Sequence, residues 1–247
     1  MVLKIICVFP IKGGDKPFSP MATMTETTLD LREVPENERS ERLTAAFEAL
    51  PSGGLLFFTT AEDPRRVLRQ LITNLWGRFD WAPLKEGDSQ WLSQIVKRER
   101  PGPTGLEDML IVEHRRCDDL FAEAEAAAQE GDQERTELLF GRLEMGMERH
   151  FTIEEEGFFQ EVDQRMGLMG GGPVAVMRDE HQQMRGMLRR MAGALAESNL
   201  EDFLAASDTM IYLMEQHNMK EEEMLYPMAE EVLGAEMDEL LQRLYLF

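Results

Sequence analysis

All four histidines of the chain stand where their spacing could do chemistry. His150 and His217 are each followed four residues later by a glutamate, in HFTIEEEGFF (150–159) and HNMKEEEMLY (217–226). A separation of four puts both groups on one face of a helix. The pattern repeats at an offset of 67 residues: Leu139, Leu143, Met147, His150, Glu154 and Phe158 correspond to Ala206, Met210, Met214, His217, Glu221 and Leu225. The preceding segment of each half behaves alike, with Leu110, His114, Cys117 and Phe121 matching Met177, His181, Met184 and Leu188. Spacings of three and four turn all of these toward a core, so both His/Glu pairs face inward.

An unpartnered ionised carboxylate in an apolar core costs several kcal/mol, and two would consume much of a domain's stability of about 5–15 kcal/mol. No lysine or arginine recurs on the stripes in both halves. Four neutral imidazoles and two carboxylates in one layer are instead a ligand set for a pair of divalent or trivalent metals. A single HxxxE says almost nothing, and a lone core histidine is usually just hydrogen-bonded; two pairs in register with two further histidines are a different matter.

Long elements are needed to hold such a layer. After residue 106 the chain reads as helices near 107–129, 133–165, 174–197 and 199–229, with a shorter piece at 230–246 and breaks at EGD, at GLMGGGP and around Ser198. Four long amphipathic helices with short connections predict an up-down-up-down four-helix bundle. The chain before it differs. TTLDLRE, GLLFFTT, DWAPLKEG and QWLSQIVKR read as strands, ENERSERLTAAFEAL as a helix, and DPRRVLRQLITNLWG as a helix with Asp63 as N-cap and Pro64 at its first position. The order β-α-β-α-β-β predicts a two-layer α+β domain with both helices on one face of a small sheet. The expected organisation is a tail at 1–26, the α+β domain at 27–98, a Pro/Gly linker at 99–106 and the bundle at 107–247. Met21 and Met24 offer alternative starts.

Charge excludes some partners. The net charge is −21, and residues 107–247 carry 33 acidic against 12 basic side chains. Such a surface repels nucleic acid and anionic membrane, and no apolar run approaches the roughly 20 residues that span a bilayer. Pro10 breaks the short apolar opening, so a signal peptide is not expected. Cys7 and Cys117 lie far apart in unlike contexts, which fits a reducing, cytoplasmic location rather than a disulfide framework.

The motifs EHRRCDDLF, ERHFTIEEEGFF, DEHQQMRGML and EQHNMKEEEMLYP, from residue 107 to about 230, resemble the hemerythrin-like, HHE cation-binding family. The resemblance implies a non-heme di-iron centre with an oxo or hydroxo bridge: His114 and His150 on one iron, His181 and His217 on the other, and Glu154 and Glu221 bridging. Oxygen-carrying members have a further histidine one turn after the third, where this chain has Arg185 in HQQMR. With two histidines per iron, the set is similar to the branch linked to repair of damaged iron centres and to NO or O2 sensing. That implies binding or reduction of NO or O2 in nitrosative or oxidative stress, with iron donation to iron-sulfur clusters, or sensing signalled through the N-terminal module, as alternatives. Open positions on the irons would admit NO, O2 or peroxide.

Residues 28–98 resemble a TusA-like domain of unknown function often fused to hemerythrin-like domains. Relatives show Arg-His and His-Asp-Pro where this chain has Arg39-Ser40 and Glu62-Asp63-Pro64, and no nucleophilic cysteine lies in the segment; a protein-binding or regulatory module is the reading that remains. Arg185 and Cys117 are candidates for the layer just outside the ligands. For Arg185 a salt-bridging residue stands against a guanidinium at the open face of the irons; for Cys117 a packed thiol stands against a redox-sensitive one. Fifteen of the 18 methionines lie in the helical half, chiefly as core filler. Glu155, Glu156, Glu222 and Glu223 rotate off the stripe by about 100° per residue and are expected mostly in solvent. Glu113 and Glu180 cannot share the face of the histidines they precede.

Overall fold

The computed structural model describes residues 26–75, 77–87, 90–99, 105–167, 171–245 and 247. The expected tail, except Glu26, and most of the expected linker lie outside the described residues.

The chain forms an N-terminal α+β layer and a C-terminal helical bundle. Strands β1 (Glu26–Asp30), β2 (Leu55–Thr60), β3 (Phe79–Lys85) and β4 (Trp91–Lys97) make one sheet in the order β1-β2-β4-β3. β1 runs parallel to β2, and β4 is antiparallel to both β2 and β3. LLFFTT occupies the inner strand β2 and is buried almost throughout, as a run with no polar alternation requires. Helices α1 (Glu36–Ala49) and α2 (Arg65–Leu75) pack on each other, with Leu43 and Phe47 of α1 and Val67, Leu68, Leu71 and Ile72 of α2 buried. The backbone N–H of Arg65 donates to Asp63 Oδ1 at 2.9 Å, the cap that DPRR predicts. Lys97 Nζ donates to the carbonyls of Glu48 and Leu50 at 3.0 and 2.7 Å, tying β4 to the end of α1.

The bundle consists of α3 (Leu106–Gln129), α4 (Gln133–Thr152) with α5 (Phe159–Met166), α6 (Gly172–Ala196), and α7 (Leu200–Lys220) with α8 (Tyr226–Leu233); α9 (Met237–Leu244) closes one end. α3 packs on α4 and α7, and α6 packs on α7 and α4, as in an up-down-up-down bundle. The repeat extends into the turns. Asp132 and Asn199, 67 residues apart, accept from the backbone N–H of Arg135 and Asp202, each at 3.1 Å. Gly131 and Ser198 before them take left-handed conformations, with φ of +76° and +54°.

Two of the expected long helices are not continuous α-helix. π-helical segments interrupt them at Ile153–Phe158 and Glu221–Leu225. Each contains an inward-facing glutamate, and such wide turns concentrate at functional sites.

One apolar core runs through both parts, uniting Leu56, Phe58 and Ile95 of the sheet with Ile153, Phe158 and Leu241 of the bundle. The edge strand β3 makes the junction. Phe79 meets Phe47 of α1 and Tyr245 beyond α9 at ring-centroid distances of 5.4 and 6.3 Å. The indole N–H of Trp81 donates to the Tyr245 carbonyl at 2.8 Å.

Candidate metal centre

Helical periodicity carries six side chains into one layer of the bundle. His114 comes from α3, His150 from the last turn of α4, His181 from α6 and His217 from α7, while Glu154 and Glu221 come from the two π-helical segments. All six are buried. Their potential ligand atoms form two overlapping groups: His114, His150, Glu154 and Glu221 in one, and His181, His217, Glu154 and Glu221 in the other, each with its atoms within 4.8 Å of one another. Both glutamates belong to both groups. The two histidine pairs repeat one geometry, with ring centroids 4.8 Å apart in each.

The polar contacts suit a cation site. His114 Nδ1 lies 2.7 Å from Glu222, His181 Nδ1 2.7 Å from Glu155 and His217 Nδ1 3.1 Å from Glu180. With each Nδ1–H donating to a carboxylate, the tautomer that this network selects points a lone pair from Nε2 inward. His181 Nε2 and His217 Nε2 face each other at 3.1 Å, and Glu154 Oε2 is 3.1 Å from His181 Nε2. Both ring nitrogens of His150, Glu154 Oε2 and Glu221 Oε1 have no hydrogen-bond partner although buried. Neighbours of these atoms belong to the same layer, with His150 Nε2 3.4 Å from Glu154 Oε2 and His217 Nε2 3.2 Å from Glu221 Oε1, and such a concentration of buried nitrogen and carboxylate atoms suits a bound cation.

Carboxylates and imidazoles of the layer shift one another's protonation. Burial, reinforced by the charge of Glu221, raises the Glu154 pKa; burial would raise Glu221 as well, but His217 and His114 hold it well below the carboxylate range. Burial opposes protonation of His114 and His181, yet the facing carboxylates push them up to about 10 and about 9. Burial and the charge of its neighbouring imidazoles drive His150 the other way.

The other anticipated residues fall as follows. Arg185 reaches no potential ligand atom in any described contact: its guanidinium bridges Glu148 (2.8 Å) and Glu155 (2.7 Å) and lies over the Phe151 ring at 4.8 Å. It therefore braces the carboxylate that orients His181. Cys117 is buried, and burial pushes its thiol up to about 12. It lines a small cavity beside the histidines with Met147, Phe151, Met184 and Met214. Glu156 and Glu223 are exposed as expected, but Glu155 and Glu222 are not free in solvent, because both accept from imidazoles of the layer. Glu180 avoids the face of His181 and serves His217 on the next helix.

Tyr226 is the residue the sequence reading passed over. It is fully buried, and its hydroxyl lies 2.8 Å from Glu154 Oε1, 2.9 Å from Glu221 Oε2 and 3.1 Å from His114 Nε2. Its ring stacks on His114 as Phe159, its counterpart 67 residues earlier, stacks on His181. Aligning the halves one position beyond the stripe finds it: a hydroxyl is present in one half and absent from the other.

A family model described as the hemerythrin HHE cation-binding domain matches residues 106–229, half of the chain. The chain belongs to the hemerythrin HHE cation-binding family. The match spans α3 through most of α8 and contains every residue of the layer. A second model, for an uncharacterized conserved protein family (DUF2249), matches residues 28–97, the sheet-bearing part. Searches of curated proteins and of solved structures return no match. A metal-binding hemerythrin-like protein is thus what the family and the His/Glu cluster describe together. No described helix is long and apolar enough to cross a membrane. The sheet-bearing part holds no histidine; where relatives were expected to have one, the Arg39 guanidinium donates to Glu62 at 2.9 Å.

Proposed function

We propose that the chain is a non-heme di-iron protein that binds or reduces NO or O2 in a nitrosative or oxidative stress response. His114 and His150 would hold one iron, His181 and His217 the other, with Glu154 and Glu221 shared between them. The observation that carries this reading is the pair of overlapping ligand groups with both carboxylates in common. Bound iron would supply coordination sites for a diatomic gas and electrons for its reduction. The protein supplies the rest. Glu222, Glu155 and Glu180 fix three imidazoles, and Tyr226 holds both shared carboxylates from one side. The cavity lined by Cys117, Met147, Phe151, Met184 and Met214 is a small, largely apolar space beside His114, His150 and His217, suited to a neutral diatomic and unsuited to a large or charged substrate.

A second reading, in which the state of the metals is signalled through the sheet-bearing part, is favoured by the Arg149 guanidinium lying 4.9 Å over the Trp81 ring. Iron donation to apo iron-sulfur proteins is the competing outcome. The reduced protein is to be mixed with NO, with O2 and with an apo iron-sulfur enzyme. Gas binding or consumption faster than iron transfer supports the proposal, and iron transfer that outpaces both replaces it.

A further inference from the structure

The two halves of the bundle orient their ligands by the same rule, with one exception. Glu222 serves His114 and Glu155 serves His181, and these two glutamates are repeat partners. Glu180 serves His217, and the symmetric contact would be Glu113 on His150. It is not made, and His150 Nδ1 is buried without an acceptor.

Glu113 is engaged elsewhere. One oxygen takes Arg116 at 2.6 Å and the other takes Arg149 at 2.7 Å. Residues in the second half that correspond to these two arginines are the uncharged Gln183 and Gln216; Lys220 pairs with Glu180 Oε1 and leaves Oε2 to His217, whereas both oxygens of Glu113 are taken. The diversion is built into the packing. Gly146 lets the Arg116 guanidinium lie against α4, since a Cβ there would come within 2.7 Å of Arg116 Nη1, and the corresponding residue in the other half is Leu213. Arg149 is itself held from outside the bundle by the Trp81 ring of β3.

We propose that the sheet-bearing part makes the metal centre unequal: Trp81 positions Arg149, Arg149 and Arg116 keep Glu113 off His150, and the metal on His114 and His150 is released first. A histidine ligand that loses its carboxylate partner binds metal about 10–100-fold more weakly. Any displacement of β3 is thereby felt at His150. These are positioning residues, acting on the centre through His150 alone. The inference rests on the di-iron reading for its metal arm and stands on the metal-free protein for the other.

Release of iron from the loaded full-length protein to a chelator is expected in two phases of equal amplitude, with rates about 10–100-fold apart. Arg116→Gln with Arg149→Gln copies the second half into the first and is expected to slow the fast phase at least about tenfold; Trp81→Leu moves it in the same direction. Glu113→Gln leaves the fast phase in place and abolishes the slowing when added to the double variant, which separates positioning from a general loss of fold. In metal-free protein, proton–nitrogen NMR of His150 is expected to show a hydrogen-bonded Nδ1–H only in the double variant. Two irons lost in one phase, or a fast phase and a His150 resonance indifferent to the double variant, overturn the inference while leaving the di-iron reading intact. Absence of iron from a protein that shows the NMR change would do the reverse.

Discussion

Removing the Tyr226 hydroxyl separates a residue that supports the ligands from one that is a ligand. In Tyr226→Phe the ring stays, and Phe159, stacked on His181 in the other half, shows that phenylalanine fits the equivalent place. What is lost is one O–H donor lying 2.8 Å from Glu154 and 2.9 Å from Glu221, both fully buried. A single proton satisfies one acceptor well, so the loss is that of one hydrogen bond to a charged group, about 1.5–3 kcal/mol. The cost should be full in metal-free protein, where the carboxylates have few other partners, and smaller when cations neutralise them. Urea unfolding monitored by circular dichroism, with and without bound iron, measures both; for a chain of this size each kcal/mol lowers Tm by roughly 2–4 °C. No destabilisation of the metal-free protein would refute the hydrogen-bond account. A larger loss in the iron-loaded form would mean that the phenol oxygen acts on the metal directly.

Other consequences follow from local geometry. Ser198→Gly relieves a non-glycine residue at φ +54° and should stabilise by about 1 kcal/mol in the same unfolding experiment. Gly157→Ala drives a methyl into the buried Leu244 of α9 and should cost about 1–3 kcal/mol, seen as a lower urea midpoint. Cys117, with its thiol pushed up to about 12 by burial, should react with a disulfide reagent only as fast as the protein unfolds, and Cys117→Ala should leave the reduction potential and NO response unchanged.

Much of this architecture was legible in the residues. The sheet order was not, but the elements were, because Asp63-Pro64 marks a helix start and LLFFTT has the unbroken apolarity of an inner strand. The six inward residues were legible because the 67-residue repeat places each of them twice. The sequence hid the changes of helical pitch. An α-helical advance of about 100° per residue sends Glu155 and Glu222 toward solvent, whereas the wider π-helical turns keep them beside His181 and His114. Contacts between helices were equally hidden, since Glu180 reaches a histidine on the next helix rather than its own. Arg185 illustrates the same limit: that it stands in place of the second histidine of HxxxH was visible, but its place over Phe151, bridging Glu148 and Glu155, depends on how α6 lies against α4.

The central claim, a pair of metals sharing Glu154 and Glu221, is most directly tested by metal analysis of the purified full-length protein together with its optical spectrum. Two irons per chain with the absorption of a coupled ferric pair are expected, falling together in Glu154→Gln and in Glu221→Gln. Zinc, a single metal, or no metal in protein prepared with iron present would contradict it.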